Sequence, residues 1–121
     1  MIGDFNAGPG TSTYNALIAA GFADAWGLAG VGDGFTCCQA ANLQNVPSSL
    51  GSRIDLALSR GFNVLGVDIV GEDLADRTST NLWMSDHAGV VATLAVPEPA
   101  TLVLLASGLA ATILLARRRR A

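Results

Sequence analysis

The order of apolar and polar residues predicts one helix near the start of the chain. Tyr14, Leu17 and Ile18 recur at the i, i+3, i+4 spacing that places side chains on one helix face. Thr11 or Ser12 lies just ahead of this face, and a hydroxyl at that position can cap the first turn. We therefore expect a short helix that begins directly after a glycine-rich loop.

Four segments have the composition of strands. Residues 53–58 alternate with period two, which places their apolar side chains on one face and Asp55 on the other. Residues 62–70 are rich in β-branched side chains, and residues 1–2 are the stub of a further strand. Residues 88–94 are apolar on both faces, which is typical of a strand central to a covered sheet. The order strand, helix, strand, strand, strand predicts an α/β or α+β layered domain.

The C-terminal segment has the pattern of a membrane helix. Residues 100–116 are 17 uncharged residues, and as a helix they would span about 25 Å. Pro97 and Pro99 precede this run, and the four arginines 117–120 follow it. Arginines stay on the cytoplasmic side, so we expect a transmembrane helix with the preceding body outside the cytoplasm. The alternative is a buried C-terminal helix of a soluble domain.

The tail also resembles a known signal. Residues 96–102 read VPEPATL, an apolar segment containing Gly108 follows, and the arginine block comes last. This tripartite pattern resembles the PEP-CTERM sorting signal, which divides the chain into a body, 1–95, and a signal, 96–121. The resemblance implies export across the inner membrane of a Gram-negative bacterium and transient anchoring there. It also implies recognition by an exosortase near Pro97, then a place at the cell surface or outside the cell.

Charge separates the same two regions. Residues 1–96 hold three arginines against nine carboxylates, a net charge of −6, whereas residues 97–121 hold four arginines against one glutamate, a net charge of +3. An acidic body excludes a basic nucleic-acid-binding domain. The 50% hydrophobic content excludes a disordered acidic protein, and two cysteines exclude a disulfide-dense miniprotein.

Three short polar motifs lie at the ends of predicted strands: GDFN at residues 3–6, SRID at 52–55 and SDH at 85–87. Each alone has an ordinary structural interpretation. Aspartate and asparagine are common turn residues, and Asp55 is equally suited to an ion pair with a nearby arginine. A lone histidine is more often structural than catalytic.

Together and in this order, the motifs resemble the endonuclease/exonuclease/phosphatase superfamily of metal-dependent, DNase I-like phosphodiesterases. The resemblance covers residues 1–95 and rests on GDFNA (3–7), YNALIAAGFADAW (14–26), SRIDLAL (52–58) and SDHAGVVATL (85–94). It implies the C-terminal half of a four-layer α/β/β/α sandwich, with a missing N-terminal half as partner. Residues 1–6 also lack the positive start and apolar core of an export signal, so we expect either that the chain is a fragment or that it is not exported as it stands.

The resemblance implies a role for each polar residue. Asp4 positions or deprotonates the attacking water, and Asn6 orients that carboxylate and donates a hydrogen bond to the phosphoryl group. His87 contacts the phosphate or exchanges a proton, while Asp55 holds its imidazole in one tautomer. Asp86, together with Asp4, matches a site for Mg²⁺ or Mn²⁺, which prefer oxygen ligands.

The chain departs from the family pattern at its principal metal ligand, a glutamate of the N-terminal half. Glu72 and Glu98 are the only glutamates, and neither lies in that context. We therefore expect weak metal binding, marginal folding and trace activity from this chain. The expected function of the intact protein is an exported metal-dependent hydrolase of phosphate esters, with DNA, RNA, lipid or nucleotide as open alternatives for the substrate. The alternative is a non-catalytic, surface-anchored module that keeps the fold.

The two cysteines lie in a glycine-rich stretch, residues 27–51, that has little periodicity. Neighbouring Cα atoms are about 3.8 Å apart, below the usual disulfide range, so a bond between Cys37 and Cys38 would be strained. Each is therefore expected to be free or to pair outside the chain. A zinc site has little support, because the C-x₂-C spacing is absent.

Overall fold

The computed structural model of the chain describes residues 1–97 and 104–109, and it shows a small α/β protein in which every strand pairing is antiparallel. The strands fall into one three-stranded sheet and one two-stranded sheet. In chain order the elements are β1 (Ile2–Asp4), α1 (Ser12–Ala19), β2 (Ala23–Asp24), α2 (Ala25–Ala29), β3 (Asp55–Ser59), β4 (Asn63–Val70), a 3₁₀ turn (Leu74–Asp76) and β5 (Gly89–Ala95).

The first sheet has the order β1-β3-β2, with β3 in the centre. Its register places Asp4 at the end of β1 directly opposite Asp55 at the start of β3. The alternating pattern predicts a strand with one polar face, but every residue of β3 after Asp55 is buried. The difference arises because β3 is flanked by a strand on each side and contacts α2 and β5 as well.

The second sheet consists of β4 and β5, paired from Val70↔Gly89 to Asn63↔Ala95 with an irregularity between Val64 and Gly66. The prediction that β5 is the centre of a covered sheet is wrong for the described residues, because β5 pairs with β4 alone. Val91 therefore remains 50% exposed. The apolar pattern of β5 is real, but nothing in residues 1–97 covers its outer face.

Helix α1 begins as predicted. The hydroxyl of Thr11 accepts a hydrogen bond from the backbone N–H of Tyr14 at 3.3 Å, which satisfies one of the unpaired donors of the first turn. Gly21, at a φ of 87°, adopts the left-handed conformation that commonly ends a helix. No residue of α1 is fully buried, so the helix covers the body only along the side that carries Tyr14 and Leu17.

The long loop between α2 and β3 has no regular helix or strand. Trp83, which lies much later in the sequence, packs against this loop and stabilises it. Trp83 is 1% exposed; its indole N–H donates to the carbonyl of Asn45 at 2.8 Å and its backbone N–H donates to the carbonyl of Leu43 at 2.9 Å. The Asn45 amide in turn donates to the side-chain oxygen of Gln39 at 2.8 Å. The loop is thus held in one arrangement by buried polar contacts.

Thr36, fully buried in this loop, joins the two sheets. Its hydroxyl oxygen accepts hydrogen bonds from the backbone N–H groups of Ile54 and Asp55, at 3.2 and 3.1 Å. Its backbone N–H donates to the carbonyl of Ser52, and its carbonyl accepts from the N–H of Ala88 at 2.8 Å. One residue therefore fixes the start of β3 against the start of β5.

The predicted membrane helix, residues 100–116, lies mostly outside the described residues. Residues 104–109 are helical. Among the helices that the structure describes, none combines the length and the apolar character needed to cross a membrane.

We expect Thr36→Val to lower the free energy of unfolding by about 1–3 kcal/mol, because two partly buried backbone N–H groups would lose their acceptor. Thr93→Val is the matched control, since Thr93 is an exposed strand residue of β5, and its effect should stay within about 0.5 kcal/mol. Urea unfolding followed by circular dichroism measures both. Equal stability of the two variants would contradict the role given to Thr36.

Candidate functional site

The three polar motifs meet at one place in the structure. Asp4 ends β1, Asp55 begins β3 beside it, and His87 lies just before β5 at the position that Thr36 fixes. The carboxylate oxygens of the two aspartates and a ring nitrogen of His87 all lie within 4.8 Å of one another. Residues that are far apart in the sequence thus form a compact cluster of acids and one base.

Asp55 and His87 form the shortest contact of this cluster. Nδ1 of His87 and Oδ2 of Asp55 are 2.8 Å apart, and both side chains are partly shielded from water. This hydrogen bond raises the pKa of His87; burial opposes the rise, and the negative charges of Asp55, Asp86 and Asp4 add to it. With Nδ1 donating to the carboxylate, Nε2 is the ring atom available to a ligand.

Arg53 does not compete for Asp55. Its guanidinium pairs with Asp24 at 2.8 Å, and the Tyr14 hydroxyl donates to the same carboxylate oxygen at 2.9 Å. Burial raises the pKa of Tyr14, and the hydrogen bond to Asp24 adds to the rise. The ion-pair interpretation of Asp55 is therefore wrong for Arg53, and Asp55 is left to orient the histidine.

Asp4 is held by the backbone of its own turn. The N–H of Asn6 donates to Oδ1 of Asp4 at 2.7 Å, and Asn6 adopts the left-handed conformation at a φ of 47°. Asparagine tolerates that conformation better than most residues. This contact involves the Asn6 backbone N–H, and the role given to Asn6 at the phosphoryl group remains a prediction.

Asp86 lies at the edge of this region. Its backbone carbonyl accepts from the N–H of Gln39 at 2.8 Å, and its carboxylate accepts from the Ser85 hydroxyl at 3.4 Å. Within residues 1–97 and 104–109, neither of the two clusters of possible metal ligands contains Asp86 or Glu72. The assignment of Asp86 as a metal ligand remains a prediction. The other glutamate, Glu98, lies outside the described residues.

The oxygen donors of this cluster are of the type that Mg²⁺ prefers. Asp4 and Asp55 offer carboxylates, and Mg²⁺ is commonly bound by one or two carboxylates together with substrate phosphate and water. One oxygen of Asp55 is engaged by His87 and one oxygen of Asp4 by the Asn6 N–H. The donor set therefore fits part of a magnesium site.

Space for a ligand exists beside the histidine. A cavity of about 340 Å³ has His87 in its wall together with Val70, Gly71, Asp76, Met84, Ser85 and Gly89. A second cavity of about 260 Å³ lies between the sheets, with Leu58 and Leu94 among its mostly apolar lining. Of these two cavities, the one beside His87 has a member of the cluster in its wall.

The cysteines differ from the expectation. Cys37 and Cys38 form a disulfide with each other, where the sequence spacing predicted free thiols or outside partners. Sγ of Cys38 lies 3.9 Å from Nε2 of His87. The chain thereby brings a second group of donor atoms to the same histidine.

Sequence reasoning missed Thr36. Its hydroxyl and backbone position the start of β3 and the residue after His87, yet the surrounding stretch has no periodicity that marks it. The one available signal is the polar Thr36 between the apolar Phe35 and the cysteine pair, in an otherwise glycine-rich loop.

We expect Asp55→Asn to lower the pKa of His87, because the carboxylate raises it in the native protein. His87 is the only histidine, so one imidazole signal in a proton NMR titration reports it directly. The midpoint should lie above 6.5 in the native protein and fall in Asp55→Asn, while Asp33→Asn, at an exposed loop residue, leaves it unchanged.

The same shift has a consequence for stability. Because the pKa of His87 is raised in the folded state, protonated His87 stabilises the fold fully at pH values below the pKa it has in the unfolded state. That stabilisation is lost as the pH rises through the pKa of the folded state.

In the NMR titration, an unchanged midpoint in Asp55→Asn would show that the pair does not set the charge of His87.

Comparison with known proteins finds one match. Residues 95–120 match the PEP-CTERM protein-sorting motif. No curated protein and no solved structure matches the chain. The motif implies recognition by an exosortase and a secreted protein directed to the cell envelope.

Proposed function

We propose that the chain carries part of the active site of an exported, metal-dependent hydrolase of phosphate esters. The observation that supports this most directly is the convergence of Asp4, Asp55 and His87 within 4.8 Å, from three motifs spread over the body. Hydrolysis of a phosphodiester needs a carboxylate and an oriented histidine, together with a cavity beside them that can hold the substrate.

Each residue has a defined task in this proposal. Asp4, oriented by the Asn6 N–H, accepts the proton of the attacking water. His87, held at Nδ1 by Asp55, presents Nε2 to the phosphoryl group and donates a hydrogen bond or a proton to it. The raised pKa of His87 favours the charged imidazolium, which suits an anionic substrate.

A divalent cation completes the electrostatics. Asp4 and Asp55 would hold Mg²⁺ or Mn²⁺, which would neutralise phosphoryl charge as it develops. The body carries a net charge of −6, so without a cation or a basic partner it would repel a polyanionic substrate. This balance also supports Mg²⁺ dependence over direct recognition by arginine.

The open sheet faces support a larger fold. Ile2 in β1 is 64% exposed and Leu65 in β4 is 66% exposed, although both lie in strands. Exposed apolar side chains on unpaired edges normally mark an interface. We infer that this body is the C-terminal half of a four-layer α/β/β/α sandwich, and that the other half supplies covering strands and the principal glutamate ligand.

The C-terminal tail supports a proposal for the location of the protein in the cell. We propose that residues 100–116 anchor the protein transiently in the inner membrane with the body in the periplasm. Processing by an exosortase near Pro97 would then release the protein to the cell surface. The net charge of +3 in residues 97–121 supports this orientation, because basic residues stay on the cytoplasmic side.

The proposal predicts slow hydrolysis of a generic chromogenic phosphodiester, bis(p-nitrophenyl) phosphate, that requires Mg²⁺ or Mn²⁺. His87→Ala and Asp4→Ala should each reduce the rate to background, since general acid–base groups contribute about 10²–10⁴-fold. Asp33→Ala is the matched control for loss of an exposed carboxylate and should keep the rate. Circular dichroism establishes that each variant is folded.

A binding measurement distinguishes low activity from no site. Inorganic phosphate added with Mg²⁺ should shift the His87 NMR signal, and Asp4→Ala should weaken that response. Wild-type rates in both variants would remove the assigned roles. Absence of hydrolysis together with absence of a metal-dependent shift would favour a non-catalytic surface module instead, for which the observed support is the lack of a glutamate in the cluster.

A further inference from the structure

A second cluster of donor atoms surrounds the other side of His87. The sulfur atoms of Cys37 and Cys38 and a ring nitrogen of His87 lie within 4.8 Å of one another, the distance range in which one metal ion can contact all three. Cys37 is buried, whereas Cys38 is exposed and faces Nε2 of the imidazole at 3.9 Å. Sequence spacing alone argued against a zinc site, and the fold supplies the missing third donor.

The histidine is already oriented as a metal ligand. Nδ1 is bonded to the Asp55 carboxylate at 2.8 Å, and this fixes Nε2 as the lone-pair nitrogen in the neutral imidazole. Histidines that bind metal characteristically donate their other ring N–H to a carboxylate or carbonyl, which sets the tautomer and increases the basicity of the ligating atom. Asp55 has that position relative to His87.

Backbone contacts hold the two segments together independently of the sulfur atoms. The N–H of Cys37 donates to the carbonyl of Ser52 at 2.9 Å, and the N–H of Ser52 donates back to the carbonyl of Cys37 at 2.9 Å. Cys37 also forms an isolated bridge with His87. Breaking the sulfur–sulfur bond removes none of these contacts, so the backbone of Cys37 stays beside His87 and both sulfurs remain within reach of the imidazole by side-chain rotation.

We propose that reduction of the Cys37–Cys38 disulfide creates a soft-metal site that takes Zn²⁺ through two thiolates and Nε2 of His87. A dithiol or phosphine reductant supplies two electrons and is itself oxidised, the sulfur–sulfur bond breaks, and each sulfur takes one proton. Zn²⁺ then displaces both thiol protons to solvent as it binds. Water fills the fourth position, as in zinc sites with three protein ligands.

Thiolate ligands select zinc over magnesium, so this site differs in chemistry from the carboxylate pair of Asp4 and Asp55. The two clusters share His87. An ion on Nε2 withdraws the imidazole from any phosphate beside it. The inference therefore goes beyond the proposed function: zinc would inhibit the reduced protein and leave the disulfide form unaffected.

The test is a zinc titration of the full-length chain in mild detergent, once as the disulfide and once reduced with a phosphine. Calorimetry should show one equivalent bound by the reduced protein and at least about 10-fold weaker binding by the disulfide form. Co²⁺ used as a probe should give thiolate-to-metal charge-transfer absorption in the reduced protein only. Neither readout depends on ester hydrolysis, so the outcome is separate from that of the proposed function.

Variants assign the ligands. Cys38→Ser should abolish most of the charge-transfer absorption and weaken zinc binding at least about 10-fold, and Asp55→Asn should weaken it by about 10- to 100-fold, the usual cost of losing a partner of a metal-bound histidine. Asp33→Asn should bind as the native chain does. Equal affinity of the reduced and disulfide forms, unchanged binding in Cys38→Ser, or unfolding on reduction seen by circular dichroism would each overturn the proposal.

Discussion

The hydrogen bonds of one buried threonine connect the segments that carry Asp55 and His87 of the candidate site. Thr36 receives the backbone N–H groups of Ile54 and Asp55 on its hydroxyl and that of Ala88 on its carbonyl. Together with the bridges that Cys37 forms with Ser52 and His87, these hydrogen bonds hold the start of β3 near the start of β5. A displacement of about 1 Å between an acid and its base is enough to lower catalysis strongly. The candidate site is therefore a property of the loop as much as of the sheets.

Local patterns predicted α1 and four of the strands but missed β2 and α2, and only the fold reveals the surroundings of each element. Thr11 caps α1 and residues 62–70 contain a strand because hydroxyl capping and β-branched periodicity act over a few residues. The burial of Leu56 and Leu58 together with Ala57 depends on neighbours from other parts of the chain, which no period-two pattern encodes. Likewise the apolar character of β5 predicts a covered strand, but coverage needs partners that residues 1–97 do not provide.

The candidate site, too, was predictable from the sequence only in part. The family resemblance implied that Asp55 holds the imidazole of His87, and the two side chains lie 2.8 Å apart in the structure. The cysteines were misjudged because spacing along the chain describes only neighbours, whereas Cys38 meets a histidine 49 residues away through the bridge of residue 37. Thr36 was missed for a related reason: a buried hydroxyl that accepts distant backbone N–H groups leaves no local signature.

The distance in sequence between the cluster's members also determines when the cluster forms during folding. Asp55 and His87 are 32 residues apart, and the segment after His87 is the strand that completes the second sheet. Contacts of such long range form late, because the entropy of closing the intervening loop must be overcome first. A partly folded chain, such as one still in transit to the envelope, has its acids and its base on separate mobile segments. The cluster of Asp4, Asp55 and His87 is therefore complete only after β5 has paired with β4.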